Sequence, residues 1–294
     1  MISRVRYAEC LVVVGVLLVL PHQRGRNVEA RSDGPPGWVE IATAPGPGYD
    51  ERVCARYTPW TAIAELDGGE LKVSERPIVP RKPLVKPPFP VATRLSRTVV
   101  SALRLPDGWL VSRDDGEWGG TLSWFDTTGT QEVPLGRMNV RGFVPEWGSQ
   151  SDAVLVLEGL AHLNLSEGSL AVVRREPVTY RWQYAPLARL PGEPDIYIRE
   201  TPDSILIVHD KGVARFTTAG ELSQVFTANL GGLEQSSIVK TSDGDIYVGM
   251  QRYLVRARPD GRVSWYVPAG CERFTAIEPR GWRDPDCVCQ GRVR

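Results

Sequence analysis

The chain has 294 residues, of which 35 are lysine or arginine and 35 are aspartate or glutamate, so its formal net charge is zero. This length suits one large domain or two small ones. Proteins that bind nucleic acid or an anionic membrane surface are expected to carry a basic excess, which this chain lacks. The composition therefore argues against nucleic acid as a partner.

Residues 1–30 have the pattern of an export segment. Arg4 and Arg6 form a short basic region ahead of an apolar stretch at residues 8–20, which Pro21 ends. That stretch has the length of a signal-peptide core and is short for a membrane span. The residues that end at Ala30 suit signal peptidase, so the sequence predicts a periplasmic or secreted protein. The alternative is an uncleaved N-terminal segment that anchors the chain in the membrane.

The next two segments are a faint repeat and a proline-rich connection. Residues 37–75 contain apolar runs on either side of an Asp-Gly-Gly turn at 67–69, and we interpret them as a first, faint blade. Residues 76–93 follow, with prolines at 77, 80, 83, 87, 88 and 90. Proline at this density prevents a helix or a central strand and favours an extended conformation. A stiff connection explains the segment more simply than a docking ligand for an aromatic groove.

Residues 94–270 repeat one pattern of short strands and tight turns. The clearest copy is residues 236–268, where turns at 242–244 and 259–261 separate three apolar runs. Asp-Gly turns between such runs are the strongest local signal of a hairpin. Related turns start further copies at residues 106–108, 151–152 and 202–204. One meander cannot bury both of its faces, so the copies predict an all-β, β-propeller-like domain of five or six blades of antiparallel meanders. A β-sandwich is the alternative.

Two histidines lie within these repeats. We interpret residues 160–163 as the second strand of their copy, which places His162 at the strand position that holds Arg256, Arg215 and Trp124 in the other copies. A position that accepts such different side chains favours a packing role with a polar tip. His209 follows an apolar strand and begins a turn, so we expect it on a surface loop.

The cysteines fit an exported protein. Once residues 1–30 are removed, four remain, namely Cys54, Cys271, Cys287 and Cys289. An even number in an exported chain favours disulfides, with three possible pairings. We prefer a bond from Cys271 to Cys287 or Cys289, because it would fix residues 271–294, which we predict to be a polar, mostly irregular tail. Free thiols and a metal or redox site are the alternatives, although zinc needs four ligands.

No assembled catalytic motif is visible. The chain has no G-x-S-x-G, no H-E-x-x-H and no glycine fingerprint for phosphate. We therefore expect a binding scaffold without a cofactor more than an enzyme. The alternative is a metal-dependent propeller hydrolase or lactonase in the periplasm, with a divalent cation such as calcium in its channel.

One loop is longer than its counterparts in the other copies. Residues 113–120 combine flexible glycines with Asp114, Asp115, Glu117 and Trp118. Binding residues concentrate on loops that a rigid scaffold positions, and a tryptophan can stack on a sugar or a cation. We name these four residues and His162 as candidate contacts for an unknown protein, small molecule or saccharide. Such contacts have to be exposed, since the charges cannot be buried without partners.

The repeats and the export segment together resemble a broad class, the secreted bacterial β-propeller proteins with degenerate repeats. The resemblance covers residues 99–269, and residues 38–73 less closely. It is carried by the Asp-Gly turns and by three segments that look similar to uncharacterised members of that class, at residues 116–120, 139–143 and 159–163. It implies the propeller fold and no particular activity, because fold alone does not give function.

Overall fold

The computed structural model describes residues 34–42, 60–78, 85–93, 98–148, 153–162, 165–271, 274–277 and 286–289. The predicted export segment and Cys54 lie outside these ranges. Within them, no helix combines the length and the apolar character that crossing a membrane requires. Strands dominate, and one short 3-10 turn at Gly116–Trp118 accompanies them.

Four antiparallel sheets of four consecutive strands, which we call blades 1 to 4, make up most of the structure. Each follows the chain without a crossover. Blade 1 comprises β4 (Val99–Leu105), β5 (Gly108–Asp114), β6 (Gly120–Asp126) and β7 (Glu132–Gly136). Blade 2 comprises β8 (Val140–Val144), β9 (Val154–His162), β10 (Leu165–Arg175) and β11 (Trp182–Leu190). Blade 3 comprises β12 (Pro194–Thr201), β13 (Ser204–His209), β14 (Gly212–Thr217) and β15 (Leu222–Thr227). Blade 4 comprises β16 (Gln235–Lys240), β17 (Ile246–Met250), β18 (Leu254–Ala257) and β19 (Val263–Pro268).

Shorter elements flank the blades. The N-terminal strand β1 (Trp38–Ile41) pairs antiparallel with β19 and so adds a fifth strand to blade 4. The strands β2 (Trp60–Asp67) and β3 (Glu70–Pro77) form a hairpin through the two glycines at 68 and 69. Both glycines have positive φ, as a two-residue hairpin turn requires. The strands β20 (Phe274–Ile277) and β21 (Asp286–Cys289) pair near the C-terminus.

The hydrophobic core is divided into layers, one between each pair of successive blades. Strand β13 shows how the sequence produces this, because all six of its residues are buried. Ile205 and Ile207 pack towards blade 2, while Leu206 and Val208 pack towards blade 4. Side chains alternate between the two faces of a strand, so a continuous apolar run indicates a sheet covered on both sides.

The outer faces of the series are covered as well. The β2–β3 hairpin contributes Ala62 and Ala64 to a cluster with Tyr247 and Tyr266 of blade 4. On blade 1, the proline-rich segment takes the place of a neighbouring blade, since Phe89 lies 5.3 Å from Phe125 between ring centroids. The backbone oxygen of Val85 also accepts a hydrogen bond from the Ala102 N–H at 2.8 Å.

These observations confirm the predicted all-β, propeller-like architecture. The described sheets stack blade on blade, each with its own layer of core, and do not form the two facing sheets of a sandwich. The predicted turns at 106–108, 202–204 and 259–261 each join two strands of one blade.

One expectation about an element is wrong. Residues 160–162 continue β9 and are not a separate strand, so His162 does not share the position of Arg256, Arg215 and Trp124. Gly159 lies within this strand and is required by packing: a Cβ there would lie 2.6 Å from Pro194 and 2.9 Å from the Glu167 carbonyl oxygen. Within the C-terminal tail, which we predict to be mostly irregular, the strands β20 and β21 pair with each other.

Candidate functional site

A cleft of about 1000 Å³ opens between blades 1 and 2. Its walls come from the β5–β6 loop, the β7–β8 connection, the adjoining halves of β9 and β10, and the end of β11. In an antiparallel meander, alternate connections lie at the same edge of the sheet, so these segments meet at one edge of the two blades. The loop that the sequence singled out, residues 113–120, forms one side of this cleft.

The loop is a closed, internally bonded turn. The N–H of Asp115 donates to the Gly119 oxygen at 2.8 Å, and the N–H of Gly119 donates to the Gly116 oxygen at 3.0 Å. Both glycines have positive φ, which other residues rarely adopt. The Nδ2 group of Asn139, from the neighbouring connection, donates to the Gly116 oxygen at 2.7 Å. The loop is therefore held in one shape and fastened to blade 2.

Asp114 is part of that fastening. It is buried, its Oδ1 accepts the Gly116 N–H at 2.8 Å, and its Oδ2 pairs with Arg141 at 2.9 Å. The expectation that all the acidic groups of this loop are exposed is therefore wrong for Asp114. Both oxygens of the Asp114 carboxyl group already have partners, one within the loop and one in blade 2.

Arg141, in the first strand of blade 2, joins three blades. It pairs with Asp114 of blade 1 and with Glu193, which directly precedes blade 3. Its Nε also donates to the Gly159 oxygen within blade 2 at 3.2 Å. Burial raises the pKa of Glu193, while Arg141 favours its charged form. Arg141 thus fixes the relative position of the elements that build the cleft.

Trp118 projects from the rigid loop with 60% of its surface exposed. It lines the cleft and belongs to none of the hydrophobic clusters. An exposed aromatic side chain on an ordered loop loses little conformational entropy when it binds a ligand, because the loop is already fixed. Such a side chain is therefore a good contact surface.

Glu158 lines the same cleft and is 5% exposed. Its Oε2 accepts hydrogen bonds from the Ser169 hydroxyl at 2.8 Å and from the Tyr184 hydroxyl at 3.2 Å. Its buried Oε1 has no hydrogen-bond partner among the described residues. Burial raises the pKa of Glu158 above its usual value. A buried carboxyl oxygen without a donor costs about 1–3 kcal/mol, which a ligand donor would recover.

Three arginines surround the cleft, and they differ in their partners. Arg113 pairs with Glu132 at 3.0 Å and donates to the Ala92 oxygen at 2.9 Å. Arg137 and Arg189 are exposed, and neither side chain has an ion-pair partner within the described ranges. These two cations are available to a ligand.

Glu117 and His162 lie on the other side of the loop. The His162 Nε2 and the Glu117 Oε2 are 2.8 Å apart, and both side chains are partly exposed. They line a smaller cavity of about 470 Å³ together with Asp115, whose Oδ1 accepts a hydrogen bond from the Thr98 hydroxyl. The structure therefore brings all five predicted contact residues to one loop region, but divides them between two cavities.

His209 is buried, contrary to the expectation of a surface loop. It is fully enclosed at the end of β13, and its Nδ1 accepts the Lys211 N–H at 3.2 Å. Burial lowers its pKa to about 4, so the imidazole is neutral at pH 7. The β15–β16 connection lies on this turn, since the N–H groups of Ala228 and Leu230 donate to the oxygens of Lys211 and Asp210, and the local sequence gives no sign of that contact.

The structure offers no ready cation site in the part of the chain that it describes. No three side chains of His, Cys, Asp or Glu there stand close enough together to hold a metal ion. The calcium alternative remains a prediction.

Sequence reasoning missed Arg141, Glu158, Arg137 and Arg189. Arg141 and Glu158 did carry a signal, since each is a charged residue inside an otherwise apolar strand, where an unpaired charge is costly. Arg137 and Arg189 carried none, because single arginines near strand ends are common.

The sequence matches no protein-family model and no curated protein. Among solved structures, the chain is similar to regucalcin from Agrobacterium tumefaciens, a calcium-binding protein, with a TM-score of 0.35 and 15% identity over 61% of this chain and 63% of that one. It is also similar to the β-propeller domain of Nup133 from Vanderwaltozyma polyspora, with a TM-score of 0.26 and 12% identity over 71% of this chain and 66% of that one. The chain spans less than two thirds of either neighbour, and at these TM-scores the likeness supports no transfer of function.

Proposed function

We propose that this chain is an exported, non-catalytic binding scaffold whose ligand site is the cleft between blades 1 and 2. The observation that carries the proposal is the buried carboxyl group of Glu158 in the wall of a large cleft, whose Oε1 has no hydrogen-bond partner among the described residues. Buried polar groups in folded proteins nearly always have a partner, and an exception calls for a ligand or another special role. The exposed Trp118 at the same cleft supports it. Export is supported by the pattern of residues 1–30.

The ligand is a small molecule or the end of a larger one. The cleft volume lies at the upper end of the range typical of small-molecule sites. Its lining mixes apolar and polar groups, as sites that orient a ligand do. A rigid loop on one side and a buried carboxyl group on the other give such a ligand a fixed orientation.

The experiment is a thermal-shift screen of the purified protein against saccharides, amino acids, nucleotides, peptides and divalent cations. Compounds that raise the melting temperature are retested on Thr121→Trp, which fills the cleft from β6. Thr179→Trp, on the exposed turn between β10 and β11, is the matched control. We expect the shift to disappear in Thr121→Trp and to persist in Thr179→Trp.

The screen has two outcomes that contradict the proposal. A ligand that stabilises both variants equally would bind outside the cleft. Chemical conversion of the ligand during incubation, followed by NMR, would make the protein an enzyme and would favour a hydrolase.

A further inference from the structure

We infer that the ligand of this cleft is an anionic saccharide: a sugar ring that stacks on Trp118, donates a hydroxyl to Glu158, and carries an acidic group held by Arg137 and Arg189. The inference rests on the proposed function and specifies the chemistry of the same site. It is argued from three groups that each lack something a ligand would supply.

The first group is Glu158, a buried acceptor that lacks a donor. Its Oε2 already accepts two hydroxyl hydrogen bonds, from Ser169 and Tyr184, while its Oε1 accepts none from the described residues. A ligand hydroxyl completes this set. A neutral hydroxyl, which can both donate and accept a hydrogen bond, suits this carboxyl group better than a second carboxylate, whose like charge would disfavour ionisation of both groups.

The second group is Trp118, an aromatic face that lacks a cover. Other exposed aromatic residues, such as Tyr180, lie outside this cleft, whereas Trp118 lies at its side. Indole rings attract the polarised C–H face of a ring or a cation. A sugar ring supplies both an apolar face for Trp118 and a hydroxyl for Glu158, which a simple cation does not, so it is the better complement to this cleft.

The third group is the pair Arg137 and Arg189, exposed cations for which the described residues supply no ion-pair partner. Arg113 in the same cleft is neutralised by Glu132, so it is not available in this way. Guanidinium groups bind carboxylate, sulfate and phosphate through paired hydrogen bonds. These three groups are all oxyanions, so we expect the sugar to carry one of them. The experiment distinguishes carboxylate, sulfate and phosphate.

The experiment is a glycan array that carries uronate-containing, sulfated, phosphorylated and neutral oligosaccharides. The purified protein is compared with Trp118→Ala and with the double variant Arg137→Gln, Arg189→Gln. A second double variant, Arg174→Gln with Arg181→Gln, removes the same charge from exposed positions of blade 2 outside the cleft and serves as the matched control.

We expect binding to one class of acidic glycan, weakened at least tenfold in Trp118→Ala and in the Arg137, Arg189 variant, and unchanged in the control. Stronger binding to neutral glycans, equal loss in both arginine variants, or no binding on the whole array would each overturn the inference. If the thermal-shift screen meanwhile finds a neutral ligand that Thr121→Trp blocks, the binding site stands and only its assigned chemistry fails.

Discussion

Two tryptophans illustrate how differently one residue type is used at the scale of single side chains. Trp118 is mostly exposed on the rigid loop, whereas Trp147 is buried and stacks on Phe216 at 5.7 Å between ring centroids. The sequence predicted an exposed Trp118 because flexible glycines and acidic residues surround it. The same reasoning was wrong for Asp114 of the same loop, since the loop bends back onto the Asp114 carboxyl group.

We predict that Trp118→Ala changes the free energy of unfolding by less than about 0.5 kcal/mol, because surface substitutions rarely do more. Trp147→Ala is the comparison, and should cost about 3–5 kcal/mol, as truncated core aromatics do. Chemical denaturation of both variants measures the two values. If Trp118→Ala lost more than about 2 kcal/mol, its ring would be part of the core and could not be a contact surface.

At the scale of elements, strands could be predicted where a turn marks their ends. They could not be predicted where the pairing partner is distant in the sequence. The hairpins at 67–70, 105–108 and 201–204 follow from local turn residues. Strand β11 has an irregular pattern of exposure and follows a connection of six residues, so its pattern was too weak to recognise. Strand β1 pairs with β19 more than 220 residues away, which no local pattern encodes.

Charged groups link one blade to the next. Glu200 of blade 3 accepts hydrogen bonds from Arg215 of its own blade at 2.6 and 2.8 Å and from Lys240 of blade 4 at 2.6 Å. The Arg215 hydrogen bonds, followed by that from Lys240, lower the pKa of Glu200 to about 2. Asp107 of blade 1 likewise accepts hydrogen bonds from Arg175 and Trp182 of blade 2.

We predict that Glu200→Gln lowers the free energy of unfolding by about 2 kcal/mol at pH 7, less than the full pKa shift implies because the two cations are partly exposed. The folded pKa lies below the unfolded value, so the stabilisation is complete above about pH 4.5 and is lost as the pH falls towards 2.

The measurement is the difference between wild type and Glu200→Gln in denaturant unfolding from pH 7 to pH 2. Comparing the difference removes the contribution of His209, whose lowered pKa also reduces stability as the pH falls from 6.5 to about 4. We expect the difference to approach zero near pH 2. A difference independent of pH would show that the charge of Glu200 does not stabilise the fold.

At the scale of the whole molecule, the order of the layers explains why the chain needs the segments that precede blade 1. Each blade buries one face against the next, so the first and last faces require separate covers. The proline-rich segment covers blade 1, and β1 with the β2–β3 hairpin covers blade 4. Sequence repeats predicted the blades, but these covers depend on contacts between segments with no shared pattern.

The last prediction concerns export and the cysteines together. Cys271 is fully buried directly after β19, where its N–H donates to the Pro268 oxygen at 2.9 Å. Cys287 and Cys289 lie on β21, in the hairpin that follows. A disulfide from Cys271 to either would close a loop of about 15 residues, worth around 3 kcal/mol in the chain-entropy model. We therefore expect the exported protein to begin near Arg31 and to contain no free thiol.

The protein is unfolded and alkylated without prior reduction, and its mass is then measured. The mass gives both the first residue of the chain and the number of free thiols. Reduction before alkylation is the control, and should reveal the four cysteines that follow residue 30. The reduced protein should also melt at a lower temperature, because its unfolded state regains the entropy that the cross-links removed. Two or more free thiols would contradict the prediction that every cysteine is paired, and a chain that retains residues 1–30 would show that the N-terminal segment is an anchor and not a cleaved signal.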